Sequence, residues 1–299
     1  MDTDLVAVVG ATATGKSGLG IALARALGGE VVNADSMQLY QGMDIGTAKE
    51  PAAAWQGVPH HLLDVWPVTQ TANVADYQKL ARTAIEDIGA RGRIPVLVGG
   101  SGLYVRAALD DLDFPGTDAG IRARLESELA RVGATVLHAR LAALDPAAAG
   151  AILPGNSRRI VRALEVIELS GRPFSATLPA YEHVRPAVQI GLTLPRPELD
   201  ARIAARVDRM WQAGLEAEVR SLVRQGLQEG RTASRALGYQ QLLRYLDGEC
   251  TLAAAHAETV KATRRFARRQ ESWFRRDPRI HWLDATATIE EALSVIAKT

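Results

Sequence analysis

The chain of 299 residues carries 35 Lys and Arg against 34 Asp and Glu, a formal net charge of +1, with 47% hydrophobic and 23% charged residues. That balance gives enough apolar residues for a full core, either one large domain or a core with a smaller companion, and argues against disorder. The single Cys250 excludes an intramolecular disulfide framework and a multi-cysteine zinc site, in keeping with a reducing compartment.

The N-terminal MDTDLVAVVG has acidic residues where a signal peptide wants positive charge, and its apolar run is too short for one. No segment approaches the roughly 18 apolar residues of a membrane span, so the expectation is a soluble cytoplasmic protein. Residues 5–9, LVAVV, read as a strand buried on both faces of a parallel sheet. GATATGKS follows at 10–17 and fits the phosphate-binding pattern G-x-x-x-x-G-K-[ST]. In that pattern the backbone of Gly10, Ala11, Thr12, Ala13, Thr14 and Gly15 points N–H groups at phosphate oxygens. Lys16 adds a point charge, and Ser17 is the candidate ligand for a magnesium ion. A helix is expected from Lys16 to Leu27, stopped by Gly28-Gly29.

A second strand, VVNA, runs into Asp35-Ser36, and a helix is expected over DYQKLARTAIEDIGARG, 76–92. A third strand, IPVLV, ends in the glycine-rich turn GGSGLY rather than in the carboxylate with which most nucleoside triphosphatases hold their metal. Strand ends of an open parallel sheet form the ligand crevice, which puts Asp35 and Ser101 near the phosphates. Three readings of Asp35 stand side by side: a helix cap, a metal ligand, and a general base. For the glycines around Ser101 the plain reading is a tight turn with unusual backbone angles; the functional one adds a hydroxyl for the ligand.

From Asp118 to Arg172 helical periodicity replaces strands. The strand VQIGLTL returns at 188–194, followed by helices over 198–225 and 251–276, the strand IHWLD, and a last helix. The expected organisation is α/β, a P-loop-type parallel sheet flanked by helices with a mainly helical insertion: core 1–115, insertion 116–187, core 188–299. In residues 261–279 eight basic residues face two acidic ones, a local excess of 8 − 2 = +6. Trp273 and Phe274 within that stretch read as core anchors, and the adjacent His60 and His61 as poor evidence for a metal site.

GATATGKS, VVNADSMQLYQGMDIGTAK (31–49), PHHLLD (59–64), VGGSGLY (98–104), NSRRIVRALEV (156–166), RALGYQQ (235–241) and KATRRFARRQESWFRR (261–276) together resemble the bacterial tRNA dimethylallyltransferase, or tRNA isopentenyltransferase, family, in order along nearly the whole chain. The resemblance implies transfer of a dimethylallyl group from its diphosphate to the exocyclic amine of the adenine 3′ of the anticodon, releasing diphosphate. It implies Asp35 as general base, Ser101 as a catalytic hydroxyl, and residues 10–17 as the diphosphate site with Mg2+ on Ser17. It also implies tRNA contacts at Asp35, Ser36, Met37 and Gln38 and at Arg159, Ile160, Val161, Arg162 and Ala163. Arg265 and Arg269 are expected on the RNA backbone, while Lys261 or Arg264 is a candidate for the diphosphate. The partners implied are tRNA and dimethylallyl diphosphate, with the protein acting as a monomer. Two rival readings follow from the residues alone: a P-loop kinase with Asp35 activating a hydroxyl, and a nucleotide-gated RNA-binding module without covalent chemistry.

Overall fold

A computed structural model describes residues 3–177 and 181–299. Six strands, β1 (Leu5–Gly10), β2 (Glu30–Asn33), β3 (His60–His61), β4 (Pro95–Gly99), β5 (Ala187–Thr193) and β6 (Ile280–Asp284), form one sheet in the order β3-β2-β4-β1-β5-β6. Every pairing is parallel. The sequence explains this directly: β1 is apolar at every position before its glycine and buried along its whole length, as a strand covered on both faces must be. β3 is the strand that sequence reading missed, because two adjacent histidines give no alternation to recognise. It is held at the sheet edge, with His61 Nε2 2.6 Å from the Glu30 carboxylate and His60 stacked on Trp55.

One layer of the core packs Ile21, Leu23 and Ala24 of the helix Lys16–Ala26 against Val6, Val8, Val96 and Ile190, with Ala292 and Ile296 closing it from the last helix. Each large side chain here contributes ~1.5–3 kcal/mol by leaving water. The expected continuous helix over 198–225 is two helices, Arg196–Gln212 and Leu215–Val223, broken at Gly214 with φ 95°. A residue with a Cβ resists that angle, so the break is written into the glycine.

The glycines of β4 and its turn serve close approach, not unusual angles: none of Gly99, Gly100 and Gly102 has positive φ. A Cβ at Gly99 would lie 2.2 Å from the Ala34 carbonyl oxygen, at Gly100 2.4 Å from Gln270 Nε2, and at Gly102 2.1 Å from the Trp273 ring. Phe274 is core as expected, whereas Trp273 is 40% exposed and lies over Gly102 instead of inside the protein.

Residues 110–182 form a separate compact unit, and its limits lie a few residues before the expected ones at both ends. Its helices Ala119–Val132, Ala134–Leu144, Pro146–Ala151 and Ser157–Ser170 bury Leu125, Leu137, Leu141, Ile160 and Leu164 together. Asp118, Asp145 and Asn156 cap three of them, each side chain accepting a backbone N–H. Fully buried Glu165 is paired with Arg122 and with Arg162, the latter at 3.0 Å.

Candidate active site

The carboxyl ends of β1, β2 and β4 bring together residues 10–17, Asp35 and Ser101. The GATATGKS loop is pre-shaped by its own bonds, since Thr14 Oγ1 and Lys16 Nζ both donate to the Ala11 carbonyl, at 2.9 and 2.6 Å. Gly15, at φ 93°, turns the loop into the helix. From the far end of the chain, buried Gln270 straps this loop to the next strand end. Its Oε1 accepts the Thr12 N–H at 2.9 Å, and its Nε2 donates to the Gly100 carbonyl at 2.8 Å.

Asp35 sits in an Asx turn. Its Oδ1 accepts the Met37 N–H at 3.0 Å, while the Asn33 side chain takes the Asp35 N–H and donates back to the Asp35 carbonyl. Asn33 also anchors the loop by donating to the Leu62 carbonyl, and Tyr77 donates to the Asn33 carbonyl from beneath. The turn uses one carboxylate oxygen and leaves Oδ2 available. Ser101 Oγ accepts from the Ser36 N–H at 3.1 Å and lies 3.2 Å from Ser36 Oγ, so its hydroxyl is tied to the Asp35 loop.

Two cavities meet here. The larger, of about 910 Å³, is lined by Lys16, Ser17, Gln38, Ile45, Arg206 and Arg209 among others. The smaller, of about 310 Å³, is lined by Ser36, Met37, Ser101, Phe266, Thr263 and Arg269 among others. Thr12, Asp35, Arg206 and Met210 line both. One cavity therefore offers cations and backbone donors, the other offers hydroxyls, an aromatic ring and an arginine, and Asp35 stands at their junction.

Burial, then the nearby Arg206, lower the Lys16 ammonium to about 7, with Asp35 pulling the other way. Burial likewise lowers the Arg206 guanidinium, which Asp35 and Glu50 counteract. Lys16 and Arg206, both partly buried and both near the Asp35 carboxylate, form a site short of negative charge. Among the described residues there is no cluster of three or more His, Cys, Asp or Glu able to hold a metal ion.

Arg206 is the main residue sequence reading missed. In the helix Arg196–Gln212 it alternates with buried Leu199, Ile203 and Val207 and reads as one of several solvated arginines. Gln270 was visible within the RRQ block but carried no signal of its role. Lys261 and Arg264, the expected diphosphate candidates, line neither cavity; Arg264 instead donates to the Asp200 carbonyl. Arg269 reaches the smaller cavity and lies over the Phe266 ring, whereas exposed Arg265 pairs with Glu258 at 2.6 Å. In the insertion, the side chains of Ile160, Val161 and Ala163 are buried in its core and Arg162 is tied to Glu165 and to the carbonyls of Pro115 and Gly116. Of the expected contacts on that helix, only Arg159 presents an exposed side chain.

Residues 38–277 match the family model described as IPP transferase. The chain belongs to the IPP transferase family. Within this family, the tRNA dimethylallyltransferase of Thermobifida fusca is 67% identical, over 98% of this chain and 94% of the relative. That of Streptomyces coelicolor is 66% identical, over 98% and 96%. The crystal structure of the tRNA isopentenylpyrophosphate transferase of Bacillus halodurans is similar with a TM-score of 0.73 at 42% identity, covering 100% of this chain and 96% of that one. A eukaryotic dimethylallyltransferase acting on tRNA superposes with a TM-score of 0.85 at 26% identity, covering 98% and 78%. The family match begins at residue 38, so the phosphate loop and Asp35 lie ahead of it.

Proposed function

We propose that this protein transfers a dimethylallyl group from dimethylallyl diphosphate to the exocyclic amine of the adenine 3′ of the anticodon in tRNA. The observation that carries the reading is the junction of the two cavities at Asp35. A diphosphate in the larger cavity and an adenine in the smaller would bring the donor carbon and the amine together beside that carboxylate.

In the reaction the N6–C1 bond forms and the C1–O bond of the donor breaks, and diphosphate leaves with the electron pair. The amine proton passes to Asp35 Oδ2 and from there to solvent. An aromatic amine is a weak nucleophile, and a positioned base contributes a factor of about a hundred to ten thousand. Ser101 holds the Asp35 loop through Ser36 and offers its hydroxyl on the adenine side. The backbone of residues 10–15, Lys16 and Arg206 stabilise charge developing on the leaving diphosphate.

Mg2+ fits the site as a partner of the diphosphate. Ser17 lines the larger cavity and its hydroxyl has no partner among the described residues, and magnesium is commonly held by one or two protein groups with phosphate oxygens and water. When bound, it would supply charge neutralisation to the leaving group. On the RNA side, Arg269 at the smaller cavity, with Ser36, Met37 and Arg159, is assigned to the anticodon stem-loop. The base must be unstacked to reach Asp35, which costs a few kcal/mol.

The test is mass spectrometry of unmodified tRNA incubated with protein, magnesium and dimethylallyl diphosphate, beside a reaction with ATP in its place. A five-carbon gain on the adenine beside the anticodon, only with the prenyl donor, is expected. ATP consumption without alkylation would instead point to the kinase reading.

A further inference from the structure

Two sequence blocks, DIGTAK at 44–49 and GYQ at 238–240, have no role in the chemistry above, yet Glu218 joins them. Its Oε2 accepts the N–H groups of Asp44 at 3.1 Å and Ile45 at 2.7 Å, and its Oε1 accepts the Gly46 N–H at 3.2 Å. Tyr239, completely buried, donates its hydroxyl to the same Oε1 at 2.6 Å. The Tyr239 ring lies so close to the loop that a Cβ on Gly46 would fall 2.4 Å from it. Successive backbone N–H groups turned to one point form a nest for an anion. Here the protein supplies the anion itself.

The nest matters because of what hangs from it. The Thr47 carbonyl, next along the chain, accepts from Gln38 Nε2 at 3.2 Å and from Arg206 Nη2 at 3.5 Å. Gln38 also donates to the Ala48 carbonyl. Ile45, Ala48, Gln38 and Arg206 all line the larger cavity, while Gly46 and Thr47 line the smaller. At the other end of the segment, Lys49 is clamped by Asp44, Asp64 and the Tyr40 carbonyl. The segment 44–49 is therefore fixed at both ends and carries the acceptors that orient two side chains of the site.

We propose that Glu218, steadied by Tyr239, is a positioning residue that sets the wall of the donor cavity and, through the Thr47 carbonyl, the aim of Arg206 at the diphosphate. This rests on the diphosphate reading of that cavity. Electrostatics alone makes the opposite prediction to the positioning role: deleting a carboxylate near a diphosphate site should tighten diphosphate binding.

The experiment measures inorganic pyrophosphate binding by calorimetry, with magnesium, for the wild type, Glu218→Gln, Tyr239→Phe and Arg206→Ala, and for the Glu218→Gln/Arg206→Ala pair. Expected is a weakening of roughly tenfold in Glu218→Gln and less in Tyr239→Phe. In the Arg206→Ala background, Glu218→Gln should add little further loss, because its effect runs through Arg206. KM for the prenyl donor should rise more than kcat falls. Unchanged or tighter binding in both folded single variants, or full additivity in the pair, overturns the assignment. Failure of the wild type itself to bind pyrophosphate overturns the donor-site reading and this assignment with it.

Discussion

Asp35 has one carboxylate oxygen occupied by the Met37 N–H and one available; no helix follows it, so the helix-cap reading gives way to an Asx turn, which is compatible with the functional readings. Asp35→Asn preserves the shape of the turn through its amide oxygen but cannot take a proton from an amine. Turnover is expected to fall about a hundred- to ten-thousand-fold, with tRNA affinity within about twofold of wild type. Single-turnover alkylation and filter binding on the same preparation check this, and retained alkylation would remove Asp35 from the base role. Lys16 gives a pH prediction. With its ammonium lowered to about 7 in the free site, a bound diphosphate should raise it again. Above pH 7 binding must then take up a proton, so affinity declines as pH rises, by about tenfold between pH 6 and 8 from the protonated fraction alone. The sign is opposite to that of diphosphate's own ionisation. Calorimetry in buffers of different ionisation enthalpy at pH 8 should show close to one more proton taken up by wild type than by Lys16→Arg. Equal uptake would show that Lys16 is already charged in the empty site.

At the scale of elements, strands were legible because β1, β2, β4 and β5 are short apolar runs ended by polar or glycine residues, and a doubly covered sheet needs little else. The break at Gly214 and the strand at His60–His61 were not, since helical periodicity runs across the glycine and two histidines have no period. The site divides in the same way. GATATGKS and Asp35 could be found because local backbone chemistry fixes them. Arg206, Gln270 and Glu218 could not, because each acts on a loop far away in sequence and an isolated Arg, Gln or Glu on a helix has the same local pattern as a solvated one. Gln270→Leu tests this strap. It leaves the Thr12 N–H and the Gly100 carbonyl without partners, at a cost of ~1–3 kcal/mol for each. The melting temperature should fall by several degrees, and KM for the prenyl donor should rise; a variant with the wild-type melting curve and KM would make the strap incidental.

For the whole molecule, a net charge of +1 conceals the basic helix Leu252–Phe274. Its arginines are not equivalent: Arg269 lies at the smaller cavity and Arg265 is neutralised by Glu258. Arg269→Gln should therefore reduce the slope of log affinity for tRNA against log salt by about 0.7, the value for one contact with single-stranded phosphate, and Arg265→Gln by less. Equal slopes in all three proteins would make the patch structural. Among the described residues no helix is long and apolar enough to cross a membrane.

The bond from Thr12 to Gln270 spans 258 residues. On a ribosome adding about 5–20 residues per second, the loop at the start of the chain waits roughly 10–50 s for the residue that closes over it. Strand β1 is already made and β2 to β5 are synthesised in that interval, so five of the six strands can pair while the GATATGKS loop is still unstrapped. A nascent protein released before Gln270 would carry the whole GATATGKS sequence and lack its support. The contact that steadies this loop is thus among the last the growing chain can make.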